Sequence, residues 1–113
     1  KNKERTMQIK ELVTKAHENA KSKGFWEDVI NSDYTLATSY NAIGNRLMLI
    51  VSELAEAQEG LRHNDLANFR EELADVAIRL GDLCGGLGID LEAEILKKME
   101  KNKTRPYKHG KAF

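Results

Sequence analysis

The sequence predicts an all-α protein, an antiparallel bundle of about four helices in one domain spanning residues 1–113. Three observations carry this. Leu, Ala and charged residues dominate and there is a single proline, Pro106. Runs of alternating β-branched residues, the mark of strands, are absent. Apolar residues instead recur at helical spacing between residues that start or stop helices.

The first helix is expected over about Glu4–Lys21, with Ile9, Leu12, Val13 and Ala16 on one face and Gly24 as its stop. A loop from Gly24 to about Thr35 carries Phe25, Trp26 and Tyr34. The second helix should run from Leu36 to Arg62, with Leu47, Ile50, Val51, Leu54 and Leu61 as its apolar stripe. Met48 and Leu49 point elsewhere, so it is apolar on more than one side, as in a helix buried centrally or between subunits. The third helix begins at the cap pair Asn64–Asp65 and ends at Gly85, Gly86 and Gly88. Its core stripe is Leu66, Phe69, Leu73, Val76, Leu80 and Leu83. The fourth runs from the cap Asp90 to about Asn102, followed by a basic tail. The connections are short, which makes neighbouring helices antiparallel.

Composition excludes several classes. Basic and acidic residues number 18 each, so the net charge is zero; a nucleic-acid-binding domain usually carries a basic excess. No apolar stretch reaches the roughly 20 residues that span a membrane. The lone cysteine, Cys84, has no partner for an intramolecular disulfide and reads as a small buried hydrophobe. The residues after Lys1–Arg5 lack the apolar core of a signal peptide, and a cytoplasmic location is expected. A domain of this size leaves much apolar surface uncovered, which with the two-sided second helix points to a homodimer or homotetramer.

The chemistry lies in the acidic residues. Glu53 and Glu56 are three apart on the second helix, and Glu72 and Asp75 three apart on the third, so each pair shares a helix face. Across a short turn, all four carboxylates can meet at one level of the bundle. Oxygen ligands without Cys or His suit Mg²⁺, and then Mn²⁺. Glu and Asp are also common on solvated helix faces, and spacing alone does not separate the two readings. Arg79 and Asp82 continue the stripe. Arg79 can pair with Asp75 at i−4 or Asp82 at i+3, as a solvated ion pair or as a group that orients carboxylates or meets a phosphate. Phe25 and Trp26 can plug the end of the bundle or stack on a base, Trp26 being the better candidate for the base. The tail can be solvated, or can close over a site through Arg105, His109 or Lys111. His17 and His63 read as surface residues.

The strings Leu49–Ala57 (LIVSELAEA) and Glu71–Asp82 (EELADVAIRLGD) resemble the MazG-like all-α nucleoside triphosphate pyrophosphohydrolases, whose signature is ExxE then ExxD on successive helices. A Glu that family members often carry just before the first pair is Ser52 here. The resemblance continues through Lys98–Asn102 and Arg105-Pro106-Tyr107, and covers roughly residues 36–111. It implies Mg²⁺-dependent cleavage of a (d)NTP to the monophosphate and pyrophosphate, in nucleotide-pool cleaning. Glu53, Glu56, Glu72 and Asp75 would be metal ligands and would supply the base. Similarity to dCTP pyrophosphatases implies that Lys98 and Asn102 contact the nucleotide; an exposed Lys and a helix-terminating Asn is the other reading. Those relatives place an aromatic residue where this chain has Arg79, so base recognition does not carry over there. A phosphoribosyl-ATP pyrophosphatase or dUTPase-like activity is the alternative within the superfamily. A non-catalytic helical interaction protein is the alternative outside it. A di-iron carboxylate bundle requires Glu-x-x-His, but Thr14, Gly60 and Pro106 precede His17, His63 and His109 by three.

Overall fold

A computed structural model describes residues 6–30 and 36–113. All of the regular structure there is helical: α1 (Ile9–Ser22), α2 (Glu27–Ile30), α3 (Leu36–Arg62), α4 (Leu66–Leu87) and α5 (Leu91–Asn102). None of these helices is long and apolar enough to cross a membrane.

The helix ends follow local chemistry. The Asp65 carboxylate accepts from Asn68 N and that of Asp90 from Ala93 N, each at 3.0 Å, which satisfies an otherwise orphaned donor of the first turn. Gly88 ends α4 with φ of 69°, and Ile89 N reaches back to Cys84 O at 2.9 Å. The first helix begins later than expected, at Ile9 rather than Glu4; residues 6–8 are not helical, and Glu4 itself lies outside the described residues. Gln8 precedes it without a side-chain cap, but Glu92 of α5 accepts from Lys10 N at 3.0 Å and serves as a cap supplied from another helix. The loop after Gly24 contains the short helix α2, which has no periodicity by which to recognise it. Tyr34 and Thr35 lie outside the described residues.

α4 is the central element, packed against α3 on one side and α1 on the other. α5 rests more lightly on α1 instead of joining α3 and α4 around a shared core. The close approach of α3 and α4 depends on Gly60, where a Cβ would stand 3.1 Å from Phe69 N and 3.2 Å from Asp65 O. At the other end of α4, a Cβ on Gly86 would run into the six-membered ring of Trp26.

The apolar stripes divide in a way that their spacing alone does not resolve. On α3, Arg46, Ala57 and Gly60 are buried and Ile43, Ile50 and Glu53 half-buried, which makes 43-46-50-53-57-60 the inward seam. Four of the five residues expected in the core (Leu47, Val51, Leu54 and Leu61) are exposed, as are Met48 and Leu49; only Ile50 turns inward. On α4, Leu83 is buried and Phe69 and Val76 half-buried, whereas Leu66, Leu73, Leu80 and Leu87 form an exposed row at intervals of seven. The helices thus carry two apolar seams, only one of which is used within the chain. The buried apolar residues among those described are Ala16, Trp26, Ala57, Leu83 and Cys84.

Trp26 is the largest of these, and its fit over Gly86 yields a stability test. Gly86→Ala should lower stability by about 1–3 kcal/mol through overpacking, outweighing the roughly 0.5–1 kcal/mol that Ala adds to a helix interior. Thermal unfolding measures it, and a Tm equal to or above that of the parent contradicts this packing.

Candidate functional site

The α3–α4 hairpin brings Glu53, Glu72 and Asp75 together, with one carboxylate oxygen from each within 4.8 Å of the others. All three are half-buried. Glu56, expected as a fourth member, is exposed and stands outside this group. The heptad geometry of the hairpin explains the difference: position 53 falls in the seam against α4, and position 56 falls one step outside it.

Arg79 does not pair along its own helix. Its Nε donates to Glu53 Oε2 at 2.7 Å, across the seam, in preference to Asp75 or Asp82. Antiparallel packing brings residue 79 within side-chain reach of residue 53, and only 15% of the Glu53 side chain is exposed. This hydrogen bond and charge hold the Glu53 carboxyl below the usual range, against the opposing effect of its burial. Glu72 moves the other way, to about 7, first because it shares a hydrogen bond with Glu53, then through desolvation and the charges of Glu53, Asp75 and Glu56. Its Oε1 is buried with no hydrogen-bond partner. The group therefore holds one carboxyl neutralised by Arg79 and one that keeps a proton nearly to neutrality, with Asp75 beside them.

A cavity of about 620 Å³ opens beside this cluster. Glu53, Asp75 and Arg79 line one part of it; Asn19, Phe25, Asp28, Asn45, Arg46 and Asp82 line the remainder, over apolar wall from Leu49, Ile78 and Leu83. The polar wall is built by Arg46, which the helical pattern did not single out. Its guanidinium is buried, donates bidentately to Asp28 at 2.8 and 3.1 Å, and also donates to Phe25 O at 2.8 Å and Ala42 O at 3.0 Å. Arg46 lowers the Asp28 carboxyl through the same hydrogen bonds. The guanidinium also lies 3.9 Å from the centre of the Trp26 ring, stacked as a cation over its face. The available signal was an arginine inside the apolar run Ile43–Val51, since a charge in such a seam needs a partner.

Trp26 is accordingly not at the cavity surface. Its indole is 5% exposed, stacked under Arg46, edge-on to His17 with ring centres 5.0 Å apart, and its Nε1 donates to Asp82 Oδ1 at 2.7 Å. Of the two loop aromatics, Phe25 faces the cavity and is largely exposed. His17, expected at the surface, is partly buried with Nδ1 3.1 Å from Asp82 Oδ1. Cys84 is buried, and desolvation raises its thiol pKa.

The remaining candidates lie apart from the cavity lining. Lys98 is exposed on α5, which docks against α1. Asn102 is half-buried on the same helix, its Oδ1 buried and without a hydrogen-bond partner. Arg105 is exposed beyond α5, ahead of the turn at Tyr107–Gly110. No family model, curated protein or solved structure matches the chain.

The raised Glu72 pKa carries a stability signature. An acid whose folded pKa exceeds its unfolded value of 4.5 binds more protons when folded, so its contribution declines as pH rises from 4.5 through 7. In EDTA, Glu72→Gln should unfold at a higher temperature than the parent at pH 7.5, with the gap closing toward pH 4.5. A gap that does not vary with pH would remove Glu72 from the carboxylate cluster.

Proposed function

We propose that the protein is a Mg²⁺-dependent nucleoside triphosphate pyrophosphohydrolase of the MazG-like kind, active as a homodimer or a higher homo-oligomer. The observation that carries the reading is the convergence of Glu53, Glu72 and Asp75, with an unpartnered buried oxygen on Glu72, at the edge of a cavity of nucleotide size. Three carboxylates from two rigid helices, with no sulfur or imidazole among them, suit a hard divalent cation that keeps some of its waters. When bound, the cation would neutralise polyphosphate charge and lower the pKa of a water for attack on phosphorus.

Each residue has a defined part in this proposal. Glu53, Glu72 and Asp75 would hold the cation, and Glu72 would give up its proton to do so. Glu56 stands one turn away, within reach of a water or a second ion. Arg79 is bound to Glu53 and lies on the cavity wall, so movement of its guanidinium toward a phosphate would exchange one anionic partner for another. Asp75→Asn should abolish Mg²⁺-dependent release of pyrophosphate from NTPs and dNTPs while leaving the protein folded. Full activity in that variant would refute the assignment.

The assembly is supported by surface area. The chain exposes 8985 Å², against about 6,300 Å² expected for a compact monomer of its mass. Its radius of gyration is 16.9 Å, against about 13 Å for a compact domain of this length. The excess is of the size that one subunit contributes to an obligate interface. The unused seam of Leu47, Val51, Leu54 and Leu61 on α3, with Leu66, Leu73, Leu80 and Leu87 on α4, is an apolar face that a second copy of the same hairpin can cover. Sedimentation equilibrium at micromolar concentration should return a multiple of 12.8 kDa, and Leu73→Lys should shift it toward the monomer and lower Tm. A parent that sediments as a 12.8 kDa monomer would refute the assembly.

A further inference from the structure

The geometry points to Asp82 as the acceptor that selects amino-bearing nucleobases in the cavity bounded by α1, α3 and α4. This rests on the reading that the cavity takes a nucleotide, and adds which bases it admits.

Asp82 is clamped in a way that the carboxylate cluster does not explain. Trp26 Nε1 and His17 Nδ1 both lie within hydrogen-bond distance of a single oxygen, Oδ1, at 2.7 and 3.1 Å. A carboxylate only accepts, so the proton of that His17–Asp82 hydrogen bond sits on Nδ1. Neither donor lines the cavity, whereas Asp82 does. The carboxylate is thus fixed from behind, with Oδ2 outside both bonds, and only 18% of its side chain is exposed.

Its position along α4 suits a base. Asp82 is two turns beyond Asp75 on the same helix face, about 10 Å along the axis. That is the order of the reach from a nucleotide's phosphates, across the sugar, to the far edge of its base. Between them the wall carries Arg79, held by Glu53, and beside it the apolar side chains of Ile78, Leu49 and Leu83; Phe25 offers a largely exposed ring for stacking. Ile78 and Leu49 cannot tell one base from another, so the choice falls to the polar groups around Asp82.

An acceptor-only group held in place attracts an exocyclic amino group and repels a carbonyl. Cytosine, adenine and guanine present such an amino group; uracil and thymine present carbonyl oxygen where cytosine has nitrogen. A site built to receive a hydrogen-bond donor discriminates strongly against the analogue that lacks it, because its buried acceptor is left unpaired.

The test uses dCMP and dUMP, which differ only in that amino-for-carbonyl exchange, with EDTA present so that neither metal nor hydrolysis is involved. Trp26 is the only tryptophan and touches Asp82 directly, so its fluorescence reports binding. The parent should bind dCMP at least about tenfold more tightly than dUMP, the discrimination of one charge-assisted hydrogen bond. Asp82→Asn, which can keep an oxygen toward Trp26 and turn its NH₂ to the cavity, should erase or reverse the preference; Asp82→Glu should keep its direction. Equal affinities in the parent, no binding of either nucleotide, or an unchanged ratio in Asp82→Asn overturns the assignment. Circular dichroism establishes that each variant is folded; should Asp82→Asn unfold, the parent ratio and its retention in Asp82→Glu decide the matter. A protein that discriminates in EDTA yet releases no pyrophosphate with Mg²⁺ contradicts the hydrolase reading alone. One that cleaves dCTP and dUTP equally and binds the monophosphates equally contradicts the base assignment alone.

Discussion

The register between α3 and α4 is the constraint on which the rest depends. Only three residues join the helices, and Asp65 caps α4 within that turn. Gly60 lets the two backbones meet where any side chain would press on Phe69 N and Asp65 O. With the turn fixed and the near end in contact, every later pairing follows from the rise of the two helices. Glu53 comes opposite Glu72, and Arg79 comes within reach of Glu53. A shift by one residue would rotate the carboxylates out of the seam and replace them with Leu54 or Leu73.

Placing acidic residues in a helix seam is costly unless their charge is cancelled. In this chain two devices are visible. Arg79 neutralises Glu53 with a short charge-assisted hydrogen bond, and Glu72 keeps a proton far above its ordinary range. Both are reversible. A proton can leave and a guanidinium can swing, whereas an apolar residue at either position would pack permanently. The arrangement therefore keeps an anionic site within reach at neutral pH; in the proposed function a cation would take over from the proton and the arginine as the neutralising charge.

How much of this was legible in the sequence varies by element. The all-helical class, the caps at Asp65 and Asp90 and the stop at Gly88 follow from short-range chemistry, and the structure has them at those residues. The pairing of the acidic motifs was legible in part, because spacing gives the face of a helix but not which step of a two-sided helix turns inward. Leu47, Leu54, Leu73 and Leu80 illustrate this: their spacing is as regular as that of the seam, yet they are exposed. Hydrophobic periodicity does not state whether a stripe meets its own chain or another. The Trp26 environment was not legible, since it joins residues from α1, α3, α4 and the loop, with sequence separations of 9 to 65 among its members. The partner of Arg79 was not legible for a related reason. Neighbours at i−4 and i+3 are visible in a sequence, and a partner 26 positions away is not.

The polar network around Trp26 makes up for a small interior. Among the described residues no large side chain is completely buried, so apolar packing alone cannot fix α1 and the loop against α4. Arg46 grips the loop through Asp28 and Phe25 O while stacking on the indole. The indole and His17 in turn hold Asp82 of α4. Directional bonds of this kind specify one geometry where a loose apolar contact would tolerate several. They also leave the cavity open, because Arg46, Asp28 and Asp82 form part of its wall and Trp26 and His17 stand behind it instead of filling it. The same shortage of interior thus has two consequences: an apolar face left over on the hairpin, and a cavity whose shape is held by hydrogen bonds.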